Sequence, residues 1–76
     1  MDKNNTKRER FEKVASSRVQ KILDTLDSLS KCSNRNNYAY NKEDIDKMMN
    51  VLKSKMKYVE NSFRQNIEKD NNKFNF

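Results

Sequence analysis

The chain has 76 residues, with 17 Lys and Arg against 11 Asp and Glu, a formal charge of +6, and 33% hydrophobic residues. Such a length holds one domain at most and lies near the lower limit for burying a self-sufficient core. With one Cys and neither His nor Gly, the composition excludes a disulfide scaffold, a His-based zinc site and the glycine loops that cradle phosphates.

The chain order begins with residues 1–5, expected to be a flexible N-terminus without the character of a signal peptide. From Thr6 the pattern turns helical. Thr6 is placed to cap a helix, with Glu9 three residues on to complete a capping box. Phe11, Ala15, Val19, Ile22, Leu26 and Leu29 then recur in steps of three and four, which lays an apolar stripe along one helical face. From Ala15 onward the spacing fits a heptad, and Val14 and Leu23 flank it. A first helix is expected over about 6–32. Neither Gly nor Pro occurs to interrupt it.

Ser33 to Tyr40 breaks the period. Asn and Ser compete for backbone hydrogen bonds, and Asn tolerates the left-handed conformation, so these residues are expected to make the turn. Tyr38 and Tyr40 alternate about Ala39, the spacing of a short extended stretch. A second helix is expected over about 41–69, with Asn41 at its N-cap and Glu43, Asp44 and Asp46 where the helix dipole favours acids. Its stripe is Ile45, Met48, Met49, Leu52, Met56, Val59, Phe63 and Ile67, widened by Val51 and Tyr58. Residues 70–76 read as a fraying tail.

The expected fold is therefore all-α: an antiparallel two-helix hairpin over 6–69, completed as a helical bundle by dimerisation or by a protein partner. A hairpin gives each helix one neighbour, which leaves Val14, Leu23, Met48, Val51 and Tyr58 as candidates for self-association. Cys32 is expected as a small hydrophobe closing the end of the bundle.

The carboxylate groups do not read as catalytic. Asp24 and Asp27 lie opposite the stripe, and Glu43, Asp44 and Asp46 are explained by helix initiation. No enzyme activity, cofactor, metal or small-molecule substrate is expected. Without a run of roughly 20 apolar residues there is no membrane span, and a reducing cytosol suits a lone thiol.

Charge points to macromolecules. Lys7, Arg8, Arg10 and Lys13 crowd the first turns of the first helix, where the dipole disfavours cations. Lys53, Lys57 and Arg64 share a ridge of the second helix away from its stripe. Arg18 borders the first stripe and can fork to a carboxylate or carbonyl. Arg35 lies in the turn beside Tyr38 and Tyr40, a group able to stack on bases or, with the hydroxyls in water, to cap the bundle. All eleven are candidate macromolecule-binding residues, with nucleic acid as the favoured ligand; solvated faces are the competing reading.

One resemblance rests on particular residues. Arg10-Phe11, Arg18, Lys21, Leu26, Leu29, Ser33-Asn34-Arg35, Asn37-Tyr38-Ala39-Tyr40, Glu43-Asp44-Ile45, Lys47 and Phe63 form a pattern. It resembles a group of short proteins of plasmids, integrative elements and prophages from low-GC Gram-positive bacteria. The likeness runs from Arg8 to Phe63 and is strongest in the Asn-Arg-x-Asn-Tyr-x-Tyr turn. Ser30-Lys31-Cys32 stands where those proteins commonly carry Gly-Asn-Leu or Gly-Asn-Cys. The resemblance implies an accessory protein of a mobile element, of a kind that binds nucleic acid or a nucleoprotein complex. The alternatives are an inhibitor of a host defence nuclease, such as a CRISPR effector, or a structural helper in a larger assembly. It implies no reaction and no catalytic residue.

Overall fold

A computed structural model describes the backbone of residues 3–71 and the side chains of residues 6–69. Those residues are helical apart from the connection at 34–41, and no strand occurs among them. The elements are α1 (Lys3–Ser30), a single 3₁₀ turn (Lys31–Ser33) and α2 (Lys42–Asn71). The chain divides into two units, Met1–Ala39 and Tyr40–Phe76.

In the first unit, α1 starts at Lys3, ahead of Thr6. Thr6 therefore lies inside the helix rather than at its cap, and residues 3–5 of the expected flexible N-terminus have helical backbone. The remainder of that terminus lies outside the described residues. So do the side chains of the expected tail at 70–76, Phe74 and Phe76 included. Towards the end of α1 the short polar side chains turn back on the backbone. Thr25 Oγ1 donates to the Lys21 carbonyl at 2.8 Å, and Ser28 Oγ donates to that of Asp24 at 3.2 Å. These bonds compete with continued helix and precede its tightening into the 3₁₀ turn.

Asn34 then redirects the chain. Its backbone sits at φ −69°, ψ 107°, outside the helical region, and its N–H reaches the Lys31 carbonyl at 3.4 Å. Its side-chain oxygen accepts the Asn36 N–H at 2.9 Å, while its carbonyl accepts from Asn37 and Tyr38 at 3.1 and 3.0 Å. This is an Asx turn. No described residue has a positive φ, which corrects the expectation of left-handed asparagines. The Asn34 side chain supplies the bond that a left-handed residue would otherwise make available, so the turn needs no Gly.

In the second unit, Asn41 and Asp44 form a reciprocal cap. The Asn41 side-chain oxygen accepts the Asp44 N–H, and Asp44 Oδ2 accepts the Asn41 N–H, both at 2.9 Å. Two N–H groups at the start of α2 that lack helical partners are satisfied in this way, and the acids Glu43 and Asp44 complement the dipole in the first turn. Asn41→Ala is expected to cost α2 about 1 kcal/mol, read as a lowered midpoint in urea or thermal unfolding followed by circular dichroism. An unchanged midpoint would show that the cap contributes nothing.

Both units keep their apolar stripes on one face, but neither encloses them. No described side chain is buried, and only Ala15, Leu29, Tyr40, Leu52 and Ser62 are half-buried. Met56 is 68% exposed, and Val51 and Tyr58 are each 64% exposed. Cys32 is exposed as well, like the stripe residues that the expected bundle would cover. Its neighbours Ser30, Lys31, Ser33 and Asn34 are polar and offer it no apolar cover.

Candidate nucleic-acid interface

At about 100° per residue, α1 sorts its side chains into three longitudinal bands. Phe11, Ala15, Val19, Ile22, Leu26 and Leu29 occupy the apolar band. On one side of it lie Lys7, Arg10, Arg18 and Lys21, grouped around Val14. On the other side and the back lie Glu9, Glu12, Asp24 and Asp27. Lys13 sits at the back, among the acids. From Lys7 to Lys21 the four cations extend over about 21 Å of helix.

This arrangement rearranges the candidates. Lys21 joins the basic band although crowding along the chain does not single it out; a helical projection of the sequence finds it. Arg8 leaves the band. It projects towards the apolar side, where its Nε bonds Glu12 Oε1 at 2.8 Å and its guanidinium lies 5.6 Å from the centre of the Phe11 ring. The pair and the ring together account for Arg8 locally. The start of α1 at Lys3 also weakens the dipole argument. Lys7, Arg10 and Lys13 fall beyond the first turn, within which that effect is concentrated. The segregation of charge by face is the stronger signal.

The acidic residues have local tasks. Asp24 Oδ1 accepts from Gln20 Nε2 at 2.9 Å, and Asp44 belongs to the cap. Among the described residues there is no group of three His, Cys, Asp or Glu side chains able to hold a metal ion. No helix among them is long and apolar enough to cross a membrane.

On α2, Lys53, Lys57 and Arg64 do share a ridge, but Arg64 is committed. Its Nε and Nη2 reach Glu60 Oε2 at 2.9 and 2.8 Å. The Arg64 hydrogen bond, then its charge, then the charge of Lys57 hold the Glu60 carboxyl below its usual range. A carboxylate depressed in the folded state contributes stability above its unfolded pKa and loses it as pH falls through the folded one. Glu60 should accordingly titrate below an ordinary glutamate in a carbon-detected NMR titration and return towards it in Arg64→Gln. Identical midpoints would show the pair to be absent in solution.

Arg35 and Tyr38 belong to the first unit, and Tyr40 opens the second. Tyr38 is exposed and Tyr40 half-buried. The flank of α2 carries a shallow depression lined by Asn50, Val51, Ser54, Lys55 and Tyr58, with Lys55 Nζ 5.0 Å from the Tyr58 ring centre. Lys55 is absent from the sequence-based candidates; Tyr58, three positions further on, was the available signal, since residues three and four apart meet on a helix. No family model, curated protein or solved structure matches the chain.

Proposed function

We propose that this protein is a non-catalytic, nucleic-acid-binding accessory protein. Its two helices pair as an antiparallel hairpin and complete a bundle by associating with a second copy. The reading is carried by the charge segregation on α1. Lys7, Arg10, Arg18 and Lys21 form a basic band free of acids and beside the apolar face, so covering the stripe leaves the cations turned outward. A duplex carries one negative charge per about 1.7 Å of axis, so about 21 Å of α1 can follow several phosphates. No base-reading motif accompanies the band, which makes the binding backbone-directed and indifferent to sequence. A mobile genetic element in a bacterial cytoplasm is the setting that the turn motif favours.

The test is duplex affinity as a function of salt. Phosphate-driven binding weakens linearly on logarithmic axes, with a slope of about −0.9 per contact. A slope near zero, or no binding at low salt, would remove the reading. The exposed Val51 and Tyr58 flank favours a second reading, in which the chain docks on a protein such as a defence nuclease. Inhibition of cleavage with no duplex affinity would select that reading instead.

A further inference from the structure

We propose that the second copy packs along α2 in one particular antiparallel register, with Leu52 against the partner's Phe63 and Met56 against the partner's Val59. The proposal rests on the reading that the chain self-associates; it moves the contact from the Val51 and Tyr58 flank to the stripe of α2 itself, and adds its direction and register.

The seam of α2 steps regularly by four and three through Ile45, Met49, Leu52, Met56, Val59 and Phe63, and α2 is about 45 Å long. A seam of this spacing packs knobs into holes. Reversing a second α2 about a point between Lys57 and Tyr58 opposes Met56 with Val59 and Leu52 with Phe63, twice each by symmetry. Four apolar layers stack at the centre. Met49 then opposes the partner's Asn66, which ends the apolar run near both tips.

Charge selects this alignment. Beside the seam, Lys53 comes next to the partner's Glu60, and the twofold repeats the pair. Glu60 has the capacity for it. Both of its bonds to Arg64 fall on Oε2, so Oε1 can accept the lysine. The helix dipoles also oppose one another only in the antiparallel arrangement.

Charge exchange in the full chain tests the register, with dimer dissociation measured by sedimentation equilibrium at low salt. Lys53→Glu and Glu60→Lys should each weaken the dimer roughly tenfold or more, since two favourable pairs become two repulsive ones. The double exchange should restore it. Helix propensity does not mimic this result, because Lys53→Glu creates a favourable pair with Lys57 four residues on and so supports its own helix. Cross-linking gives an independent reading in a Cys32→Ser background. Mixing Met56→Cys chains with Val59→Cys chains should give the mixed disulfide. Self-linked Met56→Cys dimers as the main product would overturn the register, as would a double exchange that fails to rescue. A dimer insensitive to all three charge variants would overturn it while leaving self-association intact. A monomer at all concentrations would overturn both.

Discussion

Leu52→Asp is expected to abolish association and to strip most of the helical signal from the chain. Leu52 is the most shielded member of the α2 stripe, half-buried by its own helix with Met48, Met49 and Met56 as neighbours one turn either way. In the proposed bundle it is a central layer. Truncating a buried leucine costs about 2–5 kcal/mol, and a carboxylate in its place adds the penalty for an unpaired charge. A protein of this size has stability of the same order to lose. Circular dichroism and sedimentation of the variant against the parent would read both effects. Leu52→Met, which keeps the volume, should retain the parent's behaviour. Unchanged helicity and mass for Leu52→Asp would mean that the stripe is not a core. The same change at an outward position, such as Asn61, should matter little.

Replacing Lys7, Arg10, Arg18 and Lys21 together with Gln is expected to lower duplex affinity steeply and to flatten its dependence on salt. Four lost phosphate contacts correspond to a slope shallower by about 3–4. Three features separate this from general weakening. The slope itself should change, rather than only the intercept. Neutralising the acids on the other side, Glu9 and Asp27, should raise affinity or leave it unaltered. Arg8→Gln should have a small effect, because Arg8 is held by Glu12 and lies over Phe11. A quadruple variant with the parent's slope would place the interface elsewhere.

Much of the architecture was legible because it depends on local spacing. A step of three and four residues implies a helical face whatever the surroundings, and the absence of Gly and Pro left nothing to interrupt either helix. Asn41 announced the N-cap by its type, while the reciprocal bond from Asp44 emerged only in the structure. Thr6 offered the same kind of signal and did not act on it. The residues before it, Lys3 to Asn5, carry no helix breaker, so α1 extends through them. The asparagine-rich bend was recognisable, but its geometry was not. Whether Asn34 turns the chain through its side chain or through a left-handed backbone depends on bonds to Asn36, Asn37 and Tyr38 that composition does not specify.

The basic site was legible only in part, for a similar reason. Counting cations along the chain grouped Arg8 with Lys7 and Arg10, whereas rotation about α1 separates them and brings in Lys21. Arg64 was grouped with Lys53 and Lys57, but its fork engages Glu60.

From the residues alone came the two helical spans, their apolar faces, the acidic start of α2 and the net positive charge. All of these follow from periodicity and residue type within a few positions of the chain. Three-dimensional structure decided which side chains are already engaged and which remain available: Arg8 on Glu12, Arg64 on one oxygen of Glu60, Asn34 on its own turn, and Cys32 exposed. Those outcomes depend on side-chain conformation and on which neighbours a helix turn brings within about 3 Å, the reach of a hydrogen bond.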